Sequence, residues 1–86
     1  MALTFDIVAS GGTRFHEQSL DKIVLRRREV EHDPGSEVAI LPRHAPLLMQ
    51  TQPCVARLTR GEITSEVPVG AGVLEVFRDI ITLVET

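Results

Sequence analysis

Val73-Leu74-Glu75-Val76-Phe77-Arg78-Asp79-Ile80-Ile81-Thr82-Leu83-Val84 decides the fold. Two apolar runs rich in β-branched residues flank the pair Arg78-Asp79, which reads as two strands around a tight turn. Gly70 and Gly72 punctuate the link just upstream. Before that link, Cys54, Ala56 and Leu58 share one face, with Arg57 on the other. Arg60-Gly61 then turns the chain into Ile63 and Val67, interleaved with Glu62, Thr64 and Glu66. That makes a second hairpin. At the other end of the chain, Leu3, Phe5, Ile7 and Ala9 alternate with Thr4, Asp6 and Ser10, the period of a half-buried strand. Ser10-Gly11-Gly12-Thr13 breaks the run. Strands at this spacing predict an all-β sandwich or barrel.

One stretch is ambiguous. Residues 17–32 contain neither Gly nor Pro, and Leu20, Ile23 and Val24 could begin a helical stripe. The next positions on that face are Arg27, Arg28 and Glu31, so the stripe fails. Residues 21–27 therefore read as a strand, with a short helix as the alternative. Pro42, Pro46, Pro53 and Pro68 fall at or near the ends of apolar runs, where a lost N–H is tolerable.

The 86 residues are expected to form one domain, 1–86. A domain of this size buries only roughly 60% of its unfolded surface, so a partner that binds the folded form would add to its stability. The only aromatic residues are Phe5, Phe15 and Phe77, which argues against a stacking platform for single-stranded nucleic acid. A net charge of -3 argues against general phosphate-backbone binding. Cys54 is the single cysteine and has no internal partner for a disulfide. The N-terminus lacks a basic region followed by an apolar run, and no apolar stretch approaches the ~20 residues that cross a bilayer.

Catalytic chemistry finds little support. A Cys54–His44 pair would suit thiol chemistry in a small hydrolase, but Cys54 alternates with Ala56 and Leu58 as a core residue does. His16, His32 and His44 lack tight metal-ligand spacing. No G-x-x-x-x-G-K phosphate loop occurs, and Gly70-Ala71-Gly72 reads as a strand-connecting turn. Neither a cofactor nor a metal is expected. His32-Asp33-Pro34-Gly35 has turn chemistry. Arg26-Arg27-Arg28 reads as a solvated strand end or as a basic contact.

The remaining unusual segment is Glu37-Val38-Ala39-Ile40-Leu41-Pro42-Arg43-His44-Ala45-Pro46-Leu47-Leu48. Two prolines four residues apart fix φ at both positions and bias Leu41 and Ala45 toward extended backbone. A stiff corner between apolar strands is a good rigid contact surface. Here the chain resembles the N-terminal domain of the epsilon subunit of F-type ATP synthases. The resemblance rests on Leu41-Pro42-Arg43-His44-Ala45-Pro46-Leu47-Leu48 and on Gly72-Val73-Leu74-Glu75-Val76, with Ala71 in place of a first Gly. Phe5-Asp6-Ile7-Val8, Asp21-Lys22-Ile23 and Ile80-Ile81-Thr82-Leu83-Val84 follow in matching order.

The resemblance implies a flattened ten-stranded β-sandwich of two antiparallel sheets. It implies a non-catalytic place on the rotating central stalk, between the gamma subunit and the c ring, peripheral on the cytoplasmic face of a bacterial membrane. There it would help couple ion flow to nucleotide chemistry on other subunits. The implied contacts are Glu37 toward the c ring and Pro42, Arg43, His44, Ala45 and Pro46 at the corner, with His44 toward gamma. His44 could instead cap local backbone groups. Family members usually continue into an inhibitory helical hairpin, whereas this sequence stops at Thr86, so neither latch inhibition nor nucleotide binding is expected. The loop with Arg26, Arg27 and Arg28, running to His32, is longer than usual and could meet the c ring or anionic headgroups. Without the resemblance, the residues would suit a free-standing β-sandwich adaptor.

Overall fold

The computed structural model describes residues 2–28 and 35–86. Nine strands form among them: β1 (Leu3–Ala9), β2 (Gly12–Leu20), β3 (Lys22–Arg26), β4 (Glu37–Ile40), β5 (Leu47–Thr51), β6 (Cys54–Arg60), β7 (Ile63–Val69), β8 (Gly72–Phe77) and β9 (Ile80–Glu85). Alternation sets the inner faces. Leu3, Phe5 and Ile7 of β1, Leu74 and Val76 of β8, and Ile81 and Leu83 of β9 are all buried. They meet Ile23 and Leu25 of β3, Ile40 of β4, Ala56 and Leu58 of β6, and Val67 and Val69 of β7. Phe5 and Phe15 meet edge to face at 6.0 Å. The ambiguous segment is a strand, because Ile23 and Leu25 both enter this core.

The strands lie in two sheets, in the orders β2-β1-β9-β8-β5 and β4-β3-β6-β7. The architecture is the expected sandwich, with nine strands among the described residues where the resemblance implies ten. The sheets do not close into a barrel: the described pairing between them is the single bridge Arg27↔Thr51. One pair also departs from the antiparallel pattern, for β1 runs parallel to β9 from Thr4↔Ile80 to Val8↔Val84. Parallel neighbours cannot be joined by a tight turn. Here almost the whole chain, including the second sheet, is the connection.

The β8–β9 turn carries unusual backbone. Phe77↔Ile80 closes β8–β9 around Arg78 and Asp79, at φ 51° and 64°. Positive φ at both central residues is the type I′ geometry that suits a twisted hairpin. Pro68 sits in β7, an edge strand of its sheet, where a missing donor is tolerated. Thr51 is the one buried polar residue among those described, and its hydroxyl faces the carbonyls of Gly70 and Gly72 at 3.5 and 3.4 Å.

Gly72 sits where strands come closest. A Cβ there would lie 2.1 Å from the carbonyl oxygen of Val84. The obstacle is paired backbone of β9, opposite the first residue of β8, and cannot swing aside as a side chain would. Gly72→Ala is therefore expected to cost about 2 kcal/mol or more, the range of overpacked cores. Chemical denaturation checks this against Gly11→Ala, where open space surrounds the glycine.

Candidate functional site: a strained corner beside an apolar sheet face

The corner begins where buried Ile40 ends β4 and finishes where Leu47 begins β5. The His44 amide donates to the Leu41 carbonyl at 3.1 Å, closing a four-residue turn. Pro42 occupies its first central position, and Arg43 its second at φ 66°. That is the type II pattern, which ordinarily takes glycine where Arg43 stands. The Arg43 amide donates to Asp79 Oδ1 at 2.7 Å, which links the corner to the β8–β9 turn. The Asp79 carbonyl in turn accepts from the Thr4 amide at 2.9 Å. His44 Nδ1 donates to the Ala45 carbonyl at 2.7 Å. In the neutral ring this leaves the lone pair on Nε2, an acceptor available to a partner. The ring thus does cap local backbone, and one nitrogen is left for contact.

Beside the corner lies the outer face of the five-stranded sheet. Leu48 is 71% exposed, Ile80 51% and Phe77 50%. Val73 and Val84 sit opposite one another on the same face and are also exposed. Pro46, Leu48 and Phe77 border a shallow groove of about 270 Å³, with Glu75 on its wall. Arg78 stacks its guanidinium 5.2 Å from the Phe77 ring. A half-exposed apolar face next to a rigid turn is the form of a protein-contact surface. The signal was present in the sequence: β8 and β9 carry apolar residues in both phases of the alternation, broken on the outer face only by the facing pair Glu75 and Thr82.

The remaining predicted contacts gather elsewhere. Glu37 pairs across the ladder with Arg26 at the far end of β4. Its carboxylate accepts from Arg57 Nη2 at 3.0 Å. The Arg28 amide donates to the Gln50 carbonyl at 2.8 Å, and its Nη1 to Gln50 Oε1 at 3.3 Å. Arg26, Arg27 and Arg28 are all exposed. At about 3.3 Å per residue, the β4 strand separates Glu37 from Pro42 by about 17 Å. The structure therefore divides the predicted residues into two groups, at opposite ends of β4. The turn expected at His32-Asp33-Pro34 and the far part of the Arg-rich loop lie outside the described residues.

The thiol-chemistry alternative gains nothing from this layout. Cys54 is partly buried against the core at the start of β6. The whole of β5 separates it from His44 along the chain, and no hydrogen bond joins the two side chains. Among the described residues no group of three His, Cys, Asp or Glu could hold a metal ion. No helix there is long and apolar enough to cross a membrane. His16 Nδ1 pairs instead with Asp6 Oδ1 on the sheet surface.

Sequence reading missed one electrostatic feature because its members are far apart. Arg14 on β2 forks onto Glu85, with Nε 2.6 Å from Oε1 and Nη2 2.5 Å from Oε2. The same Nη2 donates to the Pro68 carbonyl at 3.0 Å, and the Gly70 amide donates to Glu85 Oε2 at 2.7 Å. The cluster ties both sheets together at this end. The Arg14 hydrogen bonds lower the Glu85 pKa to about 2, with burial opposing and the Gly70 amide assisting. A depressed carboxylate stabilises the fold above its unfolded pKa and loses that contribution as pH falls toward the folded value. Stability is therefore expected to decline from about pH 4.5 toward pH 2, by about 1–2 kcal/mol once solvent screening at half-exposed Arg14 is allowed for. Urea midpoints across that window should fall for the wild type and change less for Arg14→Ala.

Taken together, the two sheets define a small β-sandwich module with a capped corner beside a partly apolar outer face. No protein-family model matches the chain. It is similar, at 35% identity over 86 aligned residues, to the ATP synthase epsilon chain of Acidithiobacillus ferridurans. The match takes in 96% of the chain and 55% of that relative, so the chain spans about half of the relative's length. The resemblance read from the Pro42–His44–Pro46 corner thus extends along nearly the whole sequence, and the all-β structure agrees with it.

Proposed function

We propose that this chain is the β-sandwich part of an ATP synthase epsilon subunit. In this reading it is a non-catalytic piece of the rotating central stalk. It docks on the gamma subunit and the c ring, and it helps couple ion flow to nucleotide chemistry carried by other subunits. Its place is peripheral, on the cytoplasmic face of a bacterial membrane. The observation that carries the reading is the continuity of the corner with the exposed apolar face of Leu48, Phe77 and Ile80, in a chain similar over 96% of its length to an epsilon chain. A rotor subunit must transmit torque without slipping. A rigid corner and a broad apolar face give such a grip at little cost in ordered flexible side chains.

The two separated groups suit two partners. The corner and the apolar face would take gamma, with His44 Nε2 accepting a hydrogen bond. Glu37, Arg26, Arg27 and Arg28 at the other end would meet polar loops of the c ring. Co-expression with the gamma subunit of the same organism tests the first contact. Wild-type chain should co-purify with gamma, and Leu48→Ala and Phe77→Ala should each weaken the complex about tenfold while leaving thermal stability nearly unchanged. Full retention of affinity in both variants would refute the docking face. Replacing Arg26, Arg27 and Arg28 together by Ser should leave gamma binding intact and reduce retention on the assembled c ring, most clearly at low salt. Unchanged retention and unchanged ion pumping per ATP would refute the second contact.

A further inference from the structure

Four non-glycine residues among those described have positive φ: Ser19, Arg43, Arg78 and Asp79. Three of the four meet at one place. Arg78 and Asp79 form the β8–β9 turn, Arg43 is the apex of the facing corner, and the Arg43 amide donates to Asp79 Oδ1 at 2.7 Å. Arg43 and Arg78 stand where such geometry favours glycine or asparagine, while Asp79 is of a type that accepts it. Strain gathered at one contact surface, and held by one cross-link, points to preorganisation.

We propose that Asp79 is the positioning residue of the docking corner. Its carboxylate acts through Arg43: by accepting the Arg43 amide it holds the corner in the left-handed turn, and this fixes where His44 and the flanking prolines face a partner. The inference rests on the docking reading above, and it names a residue that reading does not use. Asp79 lies 36 residues from Arg43 along the chain, so the tie is tertiary. The same residue's carbonyl accepts from Thr4, which anchors the clamp to the first strand.

Two substitutions separate the clamp from the turn. Asp79→Gly keeps the positive φ and deletes the acceptor, while Asp79→Asn keeps both a neutral acceptor and a residue at ease in that backbone. In the isolated chain, hydrogen exchange of the Arg43 amide should speed up in Asp79→Gly and return toward wild type in Asp79→Asn. Thermal stability should change little, since glycine relieves the strained turn. Affinity for the gamma subunit should fall roughly tenfold in Asp79→Gly and recover in Asp79→Asn, the scale of one lost hydrogen bond to a charged group. Unaltered exchange at Arg43 would show that the clamp does not hold the corner. Faster exchange with undiminished gamma affinity would show that the held corner does not serve docking. If wild-type chain fails to bind gamma at all, the docking reading falls, and exchange at Arg43 still decides whether Asp79 sets the corner.

Discussion

The parallel pairing of β1 with β9 is the constraint on which the rest of the structure depends. It places the first and last strands side by side in the middle of the five-stranded sheet. Phe5, Ile7, Ile81 and Leu83, all fully buried, face the second sheet from this pair. Such long-range pairing pays a large closure entropy before it returns any contact. Hairpins on either side, β1–β2 and β8–β9, are local by contrast. The central pair sets the topology, and the second sheet packs against its inner face.

The same pair positions the proposed docking surface. Thr4 lies at the end of β1 next to Ile80, and its amide binds the Asp79 carbonyl. The β8–β9 turn is therefore pinned on one side by β1, and its carboxylate pins Arg43 on the other. Placement of the corner follows from core pairing through two hydrogen bonds. A contact surface so tied to the centre of a sheet moves with the body of the domain. That suits a part whose proposed task is to transmit motion.

Strands with one wet face were legible in the sequence because period-two alternation is local. Leu3, Phe5 and Ile7, or Ala56 and Leu58, declare their face within five residues. The Arg78-Asp79 turn was equally plain, caught between two apolar runs. The parallel direction of β1 and β9 was not legible, since nothing near either strand records what lies beside it. Glu37 and the 42–46 corner were adjacent in sequence, yet they stand at opposite ends of β4, because an extended strand carries its ends apart. The Arg14–Glu85 and Arg43–Asp79 ties share one reason for escaping notice: each joins residues that only the folded topology brings together. The apolar outer face was visible in principle, as Val73, Phe77, Ile80 and Val84 occupy the phase that a solvated sheet gives to polar residues.

The backbone at the corner bears on how the surface works. A left-handed arginine costs of order 1–2 kcal/mol, and two of them meet here beside Asp79, whose short polar side chain accepts that backbone. In a domain of this size that is a sizeable share of a thin margin of stability. Glycine at Arg43 or asparagine-glycine at Arg78-Asp79 would remove much of the cost. Those choices, however, would also widen the range of conformations open to the corner in the free chain. A corner that must be ordered on binding loses affinity to that ordering, whereas one already held by Asp79 does not. The arginines thus have a use that glycine would lack: Arg78 stacks on Phe77 at the edge of the apolar face, and both side chains extend the surface a partner would meet. Strain in the turns and grip at the surface are, on this argument, two sides of one arrangement.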